Sequence, residues 1–212
     1  MCLKIKQKEG SIMMKAVIFD IGNVLVDFRW KSYISDFGFS PEINKKIAAA
    51  TVEHPIWNEY DRGVMEDELI INKCIESAPE CKKEIELFFT HIGNMVKEYS
   101  YSSEWVKDLK KDGYKVYVLS NYPKTPFLYA EKFLDFLQYI DGGVISYEVK
   151  TVKPEEKIYK LLLEKYSLQP EECVFLDDRS ENILTAEHLG FKTIHFETYE
   201  QAREALNAML GS

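Results

Sequence analysis

The sequence predicts an α/β protein whose doubly wound parallel sheet forms a Rossmann-like core, with a helical cap domain inserted into it. Three observations predict this fold. Five short apolar runs rich in β-branched and aromatic residues recur along the 212 residues, and segments with a helical apolar period separate the later runs. The stretch between the first two runs is mostly helical in pattern and far longer than an ordinary crossover. Strands that alternate with helices and are apolar throughout are typical of a parallel sheet covered on both faces.

The predicted strands are continuous apolar runs, as expected for strands buried on both sides. They cover residues 16–19, 115–119, 143–146, 173–176 and 192–196. The helices between the later strands are predicted at 103–111, 126–137, 155–166 and 181–189, where apolar residues recur every three to four positions. A last amphipathic helix at 200–210 is predicted to pack on the sheet.

The long stretch after the first strand predicts the domain organisation. Residues 28–101 are assigned to the helical cap, in which Ser40-Pro41-Glu42 opens one helix and Pro79 separates two others. Residues 15–27 and 102–212 are assigned to the core. We expect residues 1–14 to be a flexible lead-in.

Composition limits the classes of partner. The chain has 27 Lys and Arg against 35 Asp and Glu, a formal net charge of −8, which argues against nucleic acid or a membrane surface as the main partner. The four cysteines form no C-x-x-C pair and show no zinc-ligand spacing, which favours reduced thiols in a cytoplasmic protein. No targeting segment is expected. The oligomeric state has no clear signature in the sequence.

Polar residues end several of the predicted strands. Asp20 follows the first, Ser120-Asn121 the second, and Asp177-Asp178 the fourth, while Lys153 precedes a proline at the start of a helix. Ligands of parallel α/β sheets bind beyond the carboxyl ends of the strands. Taken singly, each residue is equally consistent with a helix cap or a turn. Their joint placement predicts a site for a divalent cation and a phosphoryl group.

The same segments resemble the four ordered motifs of the haloacid dehalogenase-like superfamily. The segments are Asp20-Ile21-Gly22-Asn23-Val24, Leu119-Ser120-Asn121, Val152-Lys153-Pro154-Glu155, and Phe175-Leu176-Asp177-Asp178 with Asn182, Ala186 and Gly190. The long insert after the first motif is similar to the C1-type cap of that family. The motifs look most like those of sugar-1-phosphate phosphatases and of the phosphatase domain of epoxide hydrolases.

This resemblance implies a Mg²⁺-dependent phosphatase that acts on a small phosphorylated metabolite, sugar phosphates included. It implies that Asp20 is the nucleophile and forms an aspartyl-phosphate, which water then hydrolyses. The implied ligands of Mg²⁺ are the carboxylates of Asp20 and Asp178 and the backbone carbonyl of Gly22. Asp177 is expected nearby in a supporting role, and Asn182 is expected to orient Asp178 or a metal-bound water.

Three residues are implied to contact the phosphoryl group. The Ser120 hydroxyl and the Asn121 backbone N–H are expected to donate hydrogen bonds to its oxygens, and Lys153 is expected to neutralise charge on Asp20 and on the transferring group. The catalytic set implied by the resemblance is therefore Asp20, Ser120 and Lys153.

One position departs from the family pattern. The common first motif is Asp-x-Asp, whose second Asp protonates the leaving group and later activates water, and Gly22 occupies that position here. A glycine still offers a carbonyl to the metal, but a general acid and base is missing. General acid–base catalysis is typically worth about 10² to 10⁴ in rate. Asp27, Glu53 and His54 are weak candidates for a substitute.

Two alternatives remain open at this point. A metal-free 2-haloacid dehalogenase also uses an Asp nucleophile and also lacks the second Asp, although the paired Asp177-Asp178 then repel Asp20 without a cation to balance them. A catalytically weak family member that binds a phosphorylated ligand or a protein is the other alternative.

The predicted cap contains residues suited to select a substrate. Aromatic and basic side chains would line a pocket for a sugar or another polar organic phosphate, unless the tryptophans form the cap core and the arginines are solvated. These side chains are Arg29, Trp30, Trp57, Tyr60 and Arg62.

Overall fold

The central sheet consists of five parallel strands. In a computed structural model, which describes residues 14–211, the strands in chain order are β1 (Ala16–Phe19), β2 (Val26–Phe28), β3 (Val96–Glu98), β4 (Lys115–Ser120), β5 (Gly142–Ile145), β6 (Cys173–Asp177) and β7 (Lys192–His195). The parallel sheet has the order β5-β4-β1-β6-β7. Each predicted strand is present, with its ends shifted by at most one residue, so the predicted fold class is confirmed.

Eleven helices are found within residues 14–211. They are α1 (Trp30–Asp36), α2 (Pro41–Ala50), α3 (Ile56–Arg62), α4 (Asp67–Ser77), α5 (Lys82–Thr90), α6 (Ser102–Lys111), α7 (Lys124–Ala130), α8 (Ser146–Val149), α9 (Glu156–Tyr166), α10 (Ser180–His188) and α11 (Tyr199–Leu210). Short 3₁₀ helices connect several of them. Apolar clusters cover both faces of the parallel sheet. No helix in this part of the chain has the length and apolar character needed to cross a membrane.

The prediction of one helix over residues 126–137 is wrong. The helix α7 ends at Ala130, and two 3₁₀ turns follow at Glu131–Phe133 and Asp135–Gln138. Leu134 and Phe136 are both buried, while Phe133 is 77% exposed. Residues two positions apart lie on different sides of an α-helix, so the chain leaves the helix and buries both side chains.

An antiparallel pair, β2 and β3, lies at the base of the long insert and was not predicted from the sequence. Between the two strands, α1 to α5 and the 3₁₀ turn Ile92–Met95 form what we call the helical insertion (residues 30–95). It packs around an apolar cluster of its own, which includes Ile47, Ile70 and Phe88. The predicted boundary at 27/28 falls within β2. Apart from Met14, the predicted lead-in lies outside the described residues.

The strand order fixes where the site lies. β1 is central, and the chain proceeds to β4 on one side of it and to β6 on the other. Phe19, the last residue of β1, is in register with Val118 of β4 and Leu176 of β6. The polar residues that end these three strands are therefore neighbours in space, at the switch point where α/β sheets bind ligands.

Candidate active site

Asp20 lies at the centre of the cluster, directly after β1. Its backbone N–H donates to the carbonyl of Leu176 at 2.9 Å, which continues the pairing with β6. Its carboxylate Oδ1 accepts a hydrogen bond from the backbone N–H of Ile21 at 2.7 Å. The residue is only 7% exposed. The sheet therefore holds this carboxylate in one place at the edge of a cavity.

Lys153 bridges two of the acidic residues. Its buried Nζ lies 2.9 Å from Oδ1 of Asp20 and 2.6 Å from Oδ2 of Asp177. The side-chain amide of Asn121 fixes the lysine backbone, because it donates to the Lys153 carbonyl at 2.9 Å and accepts from the Lys153 N–H at 2.7 Å. This role of the Asn121 side chain was not predicted. The residue that follows β4 thus positions the lysine that faces β1.

Asp177 is fully engaged by protein groups. Besides Lys153, it accepts hydrogen bonds from the Asn182 amide at 2.9 and 3.1 Å and from the Arg179 backbone N–H at 2.8 Å. Asn182 therefore orients Asp177, whereas the sequence analysis expected it to orient Asp178 or a metal-bound water. Asp177 in turn orients Lys153, as a supporting residue does.

Asp178 is oriented by a residue that sequence reasoning missed. The amide of Asn23 donates to Oδ2 of Asp178 at 2.8 Å. Asn23 adopts a left-handed backbone conformation with φ 56°, which asparagine tolerates better than most residues. An asparagine directly after Gly22, in the turn that leaves β1, was the sequence signal that could have pointed to this residue. His195 forms a ring hydrogen bond of 2.9 Å with the Asp178 carbonyl.

The three carboxylates form a cluster suited to a divalent cation. One oxygen from each of Asp20, Asp177 and Asp178 lies within 4.8 Å of the others. Burial raises the pKa of Asp20 to about 6, with further increases from the charges of Asp177 and Asp178 and an opposing effect from Lys153. Burial also raises the pKa of Asp178, against the hydrogen bond from Asn23. A bound cation would reduce the electrostatic repulsion among these clustered carboxylates.

Two carboxylate oxygens remain available to such a cation. Asp20 uses Oδ1 for its hydrogen bond and ion pair, and Asp178 uses Oδ2 for Asn23. Within residues 14–211, Oδ2 of Asp20 and Oδ1 of Asp178 have no hydrogen-bond or ion-pair partner in another residue. The donor set is all oxygen, as Mg²⁺ prefers.

Ser120 and Gly22 differ in how they meet the cavity. Ser120 ends β4 and is buried, and it is not among the cavity-lining residues, whereas the adjacent Asn121 is. Gly22 lines the cavity next to Asp20. A Cβ atom added at Gly22 would have no atom within 4 Å outside its chain neighbours, so a Cβ atom meets no steric obstacle there. The expected contact of Ser120 with a phosphoryl group stays a prediction.

The cavity between the strand ends and the helical insertion has a volume of about 270 Å³. Its upper wall is mostly apolar, formed by Phe28, Val52, Trp57, Ile92, Met95 and Val96. Of the five residues expected to line a substrate pocket, Trp57 does so. Arg29 instead forms an ion pair with Asp36, and Arg62 lies 2.7 Å from Glu155. Tyr60 is buried in the apolar cluster of the insertion, and Trp30 packs against it.

Asp61 of α3 also lines the cavity, although it was not predicted from the sequence as a site residue. The three weak candidates for a substitute acid, Asp27, Glu53 and His54, are not among the lining residues. A local signal did exist for Asp61. It stands in the last turn of α3, which ends at Arg62 just before Gly63, where the helix dipole disfavours a negative charge.

Fold and site together define a hydrolase with a Rossmann-like core. The chain belongs to the haloacid dehalogenase-like hydrolases, because the model of that family matches residues 14–190. The resemblance stated from the motifs is thereby confirmed.

Several known proteins are similar to the chain along most of its length. It is 25% identical to the D-ribitol-5-phosphate phosphatase of Bacteroides thetaiotaomicron over 94% of this chain and 100% of that protein. It is 23% identical to the sesquiterpene phosphatase astK of Aspergillus oryzae over 85% of this chain and 89% of that protein. Two further relatives are longer, and the chain spans 37% and 20% of their lengths.

Solved structures share the fold. A haloacid dehalogenase family enzyme from Bacteroides thetaiotaomicron, crystallised as a magnesium complex, superposes with a TM-score of 0.71. The match covers 91% of this chain and 98% of that chain at 22% sequence identity.

Proposed function

We propose that the protein is a Mg²⁺-dependent phosphatase that hydrolyses a small organic phosphate in the cytoplasm through an aspartyl-phosphate on Asp20. One observation carries this proposal. The Asp20 carboxylate stands at the edge of the cavity, 2.9 Å from the buried ammonium of Lys153 and within 4.8 Å of a carboxylate oxygen of Asp178. An anion that enters this cavity meets a nucleophile, a fixed positive charge and an all-oxygen cation site together.

The residues that would hold Mg²⁺ are Asp20, Asp178 and the backbone carbonyl of Gly22. When bound, Mg²⁺ supplies positive charge that attracts the phosphate dianion and balances the clustered carboxylates. The magnesium complex of the structural neighbour agrees with this choice of cation for that enzyme. Asp177 and Asn23 set the surroundings of this site through their hydrogen bonds to Lys153, Asn182 and Asp178.

The chain's own residues carry out the transfer. An oxygen of Asp20 attacks phosphorus, and Lys153 offsets the negative charge that approaches from the substrate. The Ser120 hydroxyl and the Asn121 backbone N–H donate to the phosphoryl oxygens, as the family resemblance implied. Water then hydrolyses the aspartyl-phosphate, and Asp20 is restored as a carboxylate.

The substrate carries an apolar organic group in this proposal. The wall contributed by the helical insertion and by β2 and β3 is apolar apart from Asp61, and Arg29 and Arg62 form ion pairs with Asp36 and Glu155. Apolar walls bind apolar surface and leave a polyol without hydrogen-bond partners. The sesquiterpene phosphatase relative favours an apolar ester, and the D-ribitol-5-phosphate phosphatase relative favours a polyol ester. The apolar cavity wall supports the apolar ester in this proposal.

The test is a panel of prenyl, aryl and sugar phosphates assayed with Mg²⁺ and with EDTA. We expect multiple turnover with Mg²⁺, loss of turnover in EDTA, and loss of turnover in Asp20→Asn. Asp108→Asn, a change of the same kind at an exposed residue of α6, is expected to behave as wild type. Halide release from a 2-haloacid that persists in EDTA would support the dehalogenase alternative, and binding without turnover would support the non-enzymatic one.

A further inference from the structure

Asp61 is the titratable side chain that the helical insertion contributes to the cavity. Within residues 14–211, the other lining residues from the insertion and from β2 and β3 are apolar: Phe28, Val52, Trp57, Ile92, Met95 and Val96. Asp61 thus faces the cavity that also contains Asp20 and Lys153. A single carboxyl group in an apolar wall opposite a reactive centre calls for an explanation.

No structural role explains this carboxyl group. Its oxygens have no hydrogen-bond or ion-pair partner within residues 14–211, whereas Glu59 on the same helix pairs with Arg62. Its place in the last turn of α3 is unfavourable for a negative charge. Asp61 is half-buried, as expected of a residue that lines a cavity.

The backbone around Asp61 is fastened to the core. The Ser146 hydroxyl, just beyond β5, donates to the Asp61 carbonyl, and the Lys150 ammonium donates to the Gly63 carbonyl. Arg62 is ion-paired with Glu155 at 2.7 Å. Gly63 has φ 68°, and a Cβ atom there would lie 2.8 Å from Tyr147. The backbone of Gly63 therefore packs closely against Tyr147. These contacts hold Asp61 in position above the strand ends.

We infer that Asp61 is the general acid and base of the reaction, in place of the side chain that Gly22 lacks. This inference rests on the proposed phosphatase function. In the first step, an oxygen of Asp20 bonds to phosphorus while the bond from phosphorus to the leaving oxygen breaks. That oxygen keeps the electron pair, takes the proton of Asp61 and departs as a neutral alcohol.

The second step returns the proton. A water oxygen bonds to phosphorus, and a proton of that water passes to the Asp61 carboxylate. The bond from phosphorus to Asp20 breaks, and its electron pair restores the Asp20 carboxylate. One ester and one water give one alcohol and one phosphate, and Asp61 is protonated again.

The surroundings of Asp61 favour the donor form. Burial and the negative charge of Asp20 raise its pKa to about 8, against the opposing charges of Arg179 and Lys153. A carboxyl group that is protonated near neutral pH is suited to donate to a leaving group. Tyr122 also lines this cavity, and its buried hydroxyl has no hydrogen-bond partner among residues 14–211.

The test compares leaving groups of different acidity. Phenolate leaves poorly without protonation, and p-nitrophenolate leaves well. For Asp61→Asn we expect kcat/KM to fall about 10² to 10⁴-fold with phenyl phosphate, and less than about tenfold with p-nitrophenyl phosphate. Glu59→Gln, an equivalent change on the same helix outside the cavity, is expected to retain wild-type values with both. Asp61→Ser removes the carboxyl group in a second way and is expected to show the same substrate dependence.

A double variant tests whether Asp61 acts as the general acid and base. Gly22→Asp in the Asp61→Asn background puts a carboxyl group back beside Asp20, and we expect it to recover activity with phenyl phosphate. Equal losses with the two esters, or no loss with phenyl phosphate, would overturn the inference while the phosphatase proposal stands. A wild-type protein without Mg²⁺-dependent turnover on any ester would overturn the phosphatase proposal, and the inference with it.

Discussion

Lys153 Nζ lies 2.6 Å from Oδ2 of Asp177, and this contact is buried at both ends. The same ammonium lies 2.9 Å from Asp20. Burial lowers the pKa of Lys153, but the charges of Asp177 and Asp20 outweigh it and raise the pKa overall. The lysine is therefore charged throughout the physiological pH range and is the fixed cation of the carboxylate cluster.

Removal of this cation is expected to damage both activity and stability. Lys153→Met leaves three clustered carboxylates without their buried counter-charge, and breaking a buried pair costs about 3 to 5 kcal/mol. We expect kcat to fall by about 10² to 10³-fold, as on loss of one electrostatic contact to a transition state. Urea unfolding without Mg²⁺ and steady-state assays with Mg²⁺ measure the two effects.

The matched control is Lys160→Met, because Lys160 pairs with Glu156 at 2.6 Å but is 60% exposed. Exposed ion pairs contribute about 1 kcal/mol or less, so we expect a small change in stability and none in kcat. Equal effects of the two substitutions would contradict the role given to Lys153.

Asn23 is expected to control the affinity for Mg²⁺ through Asp178. Asn23→Gly keeps the left-handed backbone without strain but removes the amide that orients Asp178. We expect the Mg²⁺ concentration for half-maximal activity to rise about 10 to 100-fold, as on loss of a residue that orients a metal ligand. Asn23→Ala also loses the amide and adds backbone strain, so its free energy of unfolding is expected to fall by a further 1 kcal/mol or so.

Activation curves against Mg²⁺ and chemical denaturation separate these two effects. An unchanged Mg²⁺ requirement in Asn23→Gly would show that Asp178 needs no such orientation.

Mg²⁺ is expected to stabilise the protein more at pH 7.5 than at pH 5. The pKa of Asp20 is raised to about 6 in the folded protein, from an ordinary value of 3.8, by burial first and then by the charges of Asp177 and Asp178. The folded state therefore binds the proton more tightly than the unfolded state does. The stabilisation that this proton supplies is complete below pH 3.8 and is lost as the pH rises through about 6.

In the proposed site the proton and Mg²⁺ would compete for the Asp20 carboxylate, so the stabilisation by Mg²⁺ is expected to grow as that proton leaves. At Mg²⁺ concentrations near one hundred times its Kd, the gain is about 2.7 kcal/mol. Thermal unfolding with and without Mg²⁺ at both pH values measures it. Asp178→Asn serves as the comparison and is expected to lose most of the shift. A shift of equal size at the two pH values would contradict this assignment.

Much of the site could be predicted because it lies where strands end. Asp20, Asp177 and Asp178 each follow an apolar run, and parallel strands bring their carboxyl ends to one edge, so sequence position alone indicated proximity. Asn121 was selected for its backbone N–H, but the structure shows its side chain fixing the Lys153 backbone. Such a contact joins two loops far apart in sequence, and no periodic pattern encodes it.

The presence of a helical insertion could be predicted, but not which of its residues line the cavity. Its length and helical pattern indicated a cap, yet the residues that meet the cavity depend on how α3 rests on the core. Arg62 and Asp61 are adjacent in sequence, but one pairs with Glu155 and the other lines the cavity. The sequence left the arginines either as ligand contacts or as solvated side chains, and the structure pairs Arg62 with Glu155 and Arg29 with Asp36. The antiparallel pair of β2 and β3 escaped prediction because three-residue strands are too short to show alternation.

The apolar wall of the cavity is expected to select against polyol esters, and one side chain tests this. Val52 lines the cavity, and Val52→Thr introduces a hydroxyl with almost no change of shape. An apolar ester would leave this hydroxyl without a partner, which we expect to lower kcat/KM for a prenyl phosphate about three- to tenfold. The value for D-ribitol 5-phosphate is expected to stay the same or rise. Val64→Thr, at a half-exposed position of the insertion outside the cavity, is the control. A similar change for both esters in Val52→Thr would refute selection by the wall, because a polar substitution there must distinguish a hydrocarbon from a polyol.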